Sequence, residues 1–108
     1  MAKTFDKGIV LHFQDLIDIS EGGVISKQVL KNDAGNITLF SFDQGEGLTE
    51  HTSPYDALVQ VLDGEVDISL SGEKIFVGEG EAIILPAGVP HALFAVRKLK
   101  MLLTMIKG

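Results

Sequence analysis

A chain of 108 residues, 45% hydrophobic and 22% charged, is long enough for one buried core and too short for two. It has no cysteine, which excludes a disulfide framework, a thiolate metal site and a cysteine nucleophile. Nine basic residues against fifteen acidic ones give a net charge of −6, which argues against nucleic acid or an anionic membrane as the partner.

The start, "MAKTFDKGIVLHFQDL", lacks the charged-then-apolar build of a signal peptide, and no apolar run reaches membrane-spanning length. A cytoplasmic location is expected, and "NIT" at 36–38 then carries no weight as a glycosylation acceptor. Only "FQDLID" (13–18) suits a helical turn, and it is too short to anchor a helical domain. From there the chain alternates strand and turn: "VISKQVL" (24–30), "NITLFSF" (36–42), "DALVQVL" (56–62), "EVDISLS" (65–71), "KIFV" (74–77), "EAIIL" (81–85), "HALFAV" (91–96) and "LKMLLTMI" (99–106). These runs are rich in Val, Ile, Leu and Phe, and the turns between them carry Gly, Asn, Asp and Ser. Asp63-Gly64 reads as the strongest two-residue hairpin and Ser71-Gly72 as another. Many short strands with turns every 8–12 residues mean an all-β sandwich or small antiparallel barrel.

"DALVQVL" and "MLLTMI" are apolar on both faces. A strand in so small a protein can bury both faces if one looks into a barrel and the other meets a second subunit, so a homodimer is expected. The whole chain, 1–108, reads as a single domain whose N-terminal segment, about 1–23, packs on the barrel or on a partner. The basic cluster "RKLK" (97–100) opens the last strand and reads as a guard against strand mispairing.

Two stretches could carry chemistry. In "TEHTS" a regular strand puts Thr49, His51 and Ser53 on one face and Glu50 and Thr52 on the other. Pro54 ends that strand, and Ser53-Pro54-Tyr55-Asp56 fits a type I turn. In "GEAIILPAGVPHALFA" (80–95) a strand and a Pro/Gly-punctuated turn lead to His91 at the start of the next strand.

Gly45, His51 and Gly64, followed by Gly80, Pro86, Gly88 and His91, match at the right spacing the two paired motifs of the cupin superfamily, which the chain therefore resembles. The resemblance spans 45–95 and implies a double-stranded β-helix, or jelly-roll, barrel. Members of the family typically hold a metal with two histidines and a glutamate from the first motif and a histidine from the second. Here Ser53 stands for the second histidine, Ala57 for the glutamate and Ala95 for the closing asparagine of the second motif. His51 and His91 alone match ligand positions, and the resemblance implies that they approach each other inside the barrel.

Catalytic zinc usually has three protein ligands, and non-haem iron two histidines and a carboxylate. A carboxylate from Asp56 would complete such a set only if a bulge aimed it inward; Glu50 faces away from a regular strand, and Gln60 is out of phase and a poor ligand. The expected function is a small-molecule-binding barrel whose interior pocket is anchored by His51 and His91 and lined by Ser53, Ala57 and Met101. A divalent transition metal (Fe, Mn, Ni or Zn) is held weakly or not at all. The alternative is a metal-dependent enzyme of the cupin type, a dioxygenase or isomerase with a reduced ligand set; a third reading is a structural role as a dimer. Met101, Leu103 and Met105 share one face of the last strand and suit irregular gaps in the interior. His12 matches no motif position and reads as structural or surface. No Gly-x-Ser-x-Gly elbow supports a serine triad, and no Gly-rich loop opens a helix.

Overall fold

The computed structural model describes residues 5–107. Among them the chain forms nine strands: β1 (Val24–Asn32), β2 (Gly35–Phe42), β3 (Gly47–His51), β4 (Asp56–Asp63), β5 (Glu65–Leu70), β6 (Glu73–Gly78), β7 (Ala82–Leu85), β8 (His91–Ala95) and β9 (Leu99–Ile106). The pattern seen in "FQDLID" shrinks to a single 3-10 turn, Phe13–Asp15. Two antiparallel sheets result, one of five strands in the order β1-β2-β9-β4-β7 and one of four in the order β3-β8-β5-β6. Only the β1–β2 and β5–β6 connections stay within a sheet; every other connection crosses between the two, as in a jelly roll.

The two sheets clasp a core of Phe42, Val59, Val61, Val66, Ile68, Leu93, Leu99 and Met101, all buried. Strand alternation explains the selection: Val59 and Val61 point inward from β4 while Gln60 between them is exposed. A second, smaller cluster of Ile17, Leu39 and Leu102 lies on the outer face of the five-stranded sheet, with Phe13, Leu16 and Ile25 packed on it. The second apolar face of "MLLTMI" is thus covered in part by the chain's own N-terminal segment, of which residues 1–4 lie outside the described residues. Lys100 fastens that segment by donating from Nζ to the carbonyl of Gln14, a structural task beyond guarding a strand end.

The two Gly-containing turns read as hairpins part company. Ser71-Gly72 joins the paired strands β5 and β6, with Leu70 opposite Glu73 and φ of 49° and 82°, both positive as a two-residue I′ turn requires. Asp63-Gly64 makes no hairpin: β4 pairs with β7 and β9, whereas β5 pairs with β6 and β8. It is the corner at which the chain changes sheet. Gly64 has φ of 89°, and a Cβ there would lie 2.0 Å from the Lys98 carbonyl oxygen, so glycine answers both to backbone conformation and to the close pass of the β8–β9 link.

Candidate functional site

His51 ends β3 and His91 begins β8, and the two strands pair antiparallel with His51 opposite His91. The register brings them together only because of a bulge. Leu48 sits opposite Leu93, so three residues of β3 from Leu48 to His51 span two residues of β8 from Leu93 to His91. Leu93 and His91 both face the interior, and Leu48 packs on the core. In a regular strand the residue opposite His91 would be Glu50; the extra residue brings His51 there instead. The alternation that groups Thr49, His51 and Ser53 therefore breaks at this bulge, and β3 ends at His51 rather than near Ser53.

The rings meet with Nε2 atoms 3.1 Å apart, centroids 4.3 Å apart and planes at 71°. His51 Nδ1 lies 2.7 Å from the Thr49 carbonyl inside the bulge, and His91 Nδ1 lies 3.2 Å from the Val89 carbonyl. A carbonyl oxygen only accepts, so Nδ1 carries the proton in both rings. Both Nε2 atoms are then lone-pair acceptors aimed at each other. Two facing lone pairs repel unless a cation, a proton or a metal ion, sits between them. Burial pushes the pKa of His91 down from the ordinary histidine value, against the upward pull of the Val89 carbonyl, and the charge of His51 adds to the fall. At neutral pH that favours the unprotonated nitrogen that a metal requires. Two nitrogens each about 2.0–2.1 Å from one ion lie no more than about 4.2 Å apart, so the observed separation fits a shared ion. Nδ1–H bonded to a carbonyl is also how metal-ligating histidines are commonly held. His91 is buried while His51 is exposed, so the pair stands at the rim of the barrel, open to solvent on one side.

No group of three His, Cys, Asp or Glu side chains converges among the described residues. Asp56, the carboxylate that could have completed a three-ligand set, is turned away: its Oδ1 accepts from the Ala87 amide at 2.8 Å. It braces the 86–88 turn, as does the Ser53 carbonyl, which accepts from the Gly88 amide at 2.8 Å. Ser53 itself precedes the bend at Pro54 and Tyr55, and its Oγ accepts from the Tyr55 amide at 3.2 Å and donates toward Met105 Sδ at 3.7 Å. Ala57 is buried opposite Met105. Met105, not Met101, is thus the methionine beside Ser53 and Ala57. Met101 pairs with Phe40 and Val61, four residues or about 13 Å along the strand, and is wholly buried in the core. His12 lies apart from the pair, exposed at the entry to the 3-10 turn.

The motifs find an independent counterpart. Residues 38–107 match the family model described as "Cupin domain". The chain belongs to the cupin family. Among solved structures it is similar to a conserved protein of unknown function from Streptococcus pyogenes, with 35% identity, TM-score 0.92, and coverage of 98% of this chain and 93% of that one. A cupin superfamily protein from Desulfitobacterium hafniense shares 29% identity over 98% of this chain and 97% of its own, at a TM-score of 0.91. A "Cupin 2 conserved barrel domain protein" from Leptotrichia buccalis is 38% identical over 87% of this chain, which spans 46% of that longer one, at a TM-score of 0.83. A search of curated proteins finds no match.

The bulge, the Thr49 and Val89 carbonyls, and Met105 as neighbour of Ser53 are the site features that sequence reasoning missed. A signal for the first lies in the spacing: Leu48 and His51 are three apart while Leu93 and His91 are two apart, so pairing both couples demands an extra residue.

Proposed function

We propose that this cupin binds a small molecule at the rim of its barrel, using His51 and His91 as a paired imidazole anchor that also takes a divalent transition-metal ion. The observation that carries this reading is the convergence of two Nε2 lone pairs, each ring locked in one tautomer by a backbone carbonyl. His91 is the fixed half of the pair, buried and seated at the start of β8; His51, exposed on a bulge, is the half a ligand meets first. An anionic or oxygen-bearing ligand would complete the coordination that two protein nitrogens leave open. A bound ion would polarise such a ligand as a Lewis acid.

The test is metal analysis of protein purified without a histidine tag, then titration with Zn(II), Ni(II) and Mn(II) by calorimetry, for wild type, His51→Ala and His91→Ala. One equivalent bound by wild type and lost in both variants supports the anchor. Less than about a tenth of an equivalent of any of these ions in wild type after titration would sink its metal half.

The same reading includes a second copy of the chain. On the outer face of the five-stranded sheet, Leu30, Ile37, Thr104, Leu58 and Ile84 form one cross-strand row running through all five strands without a charge. Leu30 and Ile84 are 48% and 65% exposed. A row of this kind is self-complementary about a two-fold axis. Light scattering at micromolar concentration should give a dimer for wild type and a monomer for Ile84→Glu; a wild-type monomer removes this part of the proposal.

A further inference from the structure

The outer face of the four-stranded sheet carries a second constellation, unrelated to the histidines. Gly47, Phe94, Asp67 and Phe76 lie in one cross-strand row, one residue from each of β3, β8, β5 and β6. Phe94 is 50% exposed and Phe76 68%, and Gly47 offers Phe94 no side chain for cover. Between the two phenyl groups stands Asp67, whose Oδ1 is buried and has no hydrogen-bond partner. Side chains directly opposite on paired strands are about 4.5–5.5 Å apart at Cβ, so the carboxylate is flanked by a ring on each side. Carboxylate oxygens are normally hydrogen-bonded, and leaving one buried and unpaired is costly. Lys74, diagonal to Asp67 through its register with Ser69, makes no ion pair with it; the one found among the described residues joins Arg97 and Glu65.

Two exposed phenylalanine side chains flanking a carboxylate are complementary to a planar cation, which can stack on a ring and donate to the carboxylate oxygen that is not buried. A lone ammonium ion satisfies the charge but not the stacking. Asp67 and Phe94 open onto a hollow of about 330 Å³ whose charged lining residues are Asp67 itself and Lys74; a second hollow, beginning at Phe76 and running past the Asp63-Gly64 corner, carries Glu65, Glu79 and Glu81 against Arg97 and Lys98. We infer that this face is a docking surface for another polypeptide that presents an arginine side chain, with the guanidinium held between Phe94 and Phe76 on Asp67.

The probe is a short acetylated and amidated peptide of alternating arginine and glycine, titrated into ¹⁵N-labelled protein at low salt. A matching peptide with citrulline in place of arginine keeps the planar shape and removes the charge. Amide shifts should cluster at 66–68, 75–77 and 93–95 and follow a single isotherm, with the citrulline peptide inactive. Asp67→Asn, which keeps shape and volume, should weaken the apparent affinity at least about tenfold, and Phe94→Ala several-fold, while the remaining amide spectrum stays that of a folded barrel. Lys74→Met, which removes the nearest competing cation, should tighten it. Shifts that map elsewhere, or that Asp67→Asn leaves unchanged, overturn the proposal, as does a change of oligomeric state in Asp67→Asn, which would make this face a contact between copies. His51→Ala should bind the peptide as wild type does, so failure here is separable from failure of the histidine anchor.

Discussion

The five-stranded sheet is covered on both faces over much of its width, by Phe42, Val59 and Met101 within and by Ile17, Leu39 and Leu102 beneath the N-terminal segment. The four-stranded sheet buries Val66, Ile68 and Leu93 on its inner face only, leaves Phe76 and Phe94 bare outside, and carries both histidines at one end of its β3–β8 pair. The five-stranded sheet thus supplies most of the packing, and the other carries both the histidine pair and the exposed row of Phe94, Asp67 and Phe76.

The sharpest break of that comparison uses one residue type in two places. Phe42→Ala, inside the doubly covered sheet, should cost about 3–5 kcal/mol in urea unfolding, and Ile17→Ala, under the N-terminal segment, about 2–4 kcal/mol. Phe76→Ala, on the bare face, should cost about 0.5 kcal/mol or less. Equal losses for Phe42→Ala and Phe76→Ala would mean that the outer face is covered in solution. Next in size is the corner between the sheets. Gly64→Ala forces a Cβ against the Lys98 carbonyl at a positive φ and should lose more than about 2 kcal/mol, whereas Gly72→Ala, at positive φ with open space around it, should lose about 1 kcal/mol.

How much of this was legible in the sequence divides along the same line. The strand runs and the Ser71-Gly72 hairpin follow from local pattern, because a two-residue loop with positive φ at both positions is a property of those residues alone. Asp63-Gly64 carries the same local signal, yet serves a corner, because the pairing of β4 with β9 and of β5 with β8 outweighs the turn preference. That His51 and His91 are partners was implied by the resemblance to the cupin motifs, which spacing alone does not show. The bulge that brings His51 opposite His91 shows in the residue spacing only once the pairing of Leu48 with Leu93 is known, because it is set by the partner strand's register. The state of Asp67 was not legible: "EVDISL" places it on an outward face, but only the neighbouring strands put a phenylalanine on each side.

The smallest expected effect concerns the attachment of the N-terminal segment. Asp43 accepts from the amides of Gly22 and Gln44, and these bonds, Gly22 first, hold its carboxyl below its ordinary pKa of 3.8. A carboxylate with a depressed pKa in the folded state stabilises above its unfolded value and loses that contribution as pH falls through the folded one. Unfolding midpoints should therefore drop as pH falls below 3.8, and Asp43→Asn should flatten that slope without changing the Phe42 and Phe76 contrast. An unaltered slope in Asp43→Asn would show that the clamp adds nothing.

The central claim is that backbone carbonyls lock both rings so that two bare Nε2 atoms converge. Imidazole ¹⁵N–¹H correlation spectra of the metal-free protein at pH 7.5 read this directly, with His12 as the internal control. Both His51 and His91 should show the proton on Nδ1, and substoichiometric Zn(II) should move both Nε2 resonances together while leaving those of His12 in place. A proton on Nε2 of either ring, or zinc that moves neither, would contradict the account.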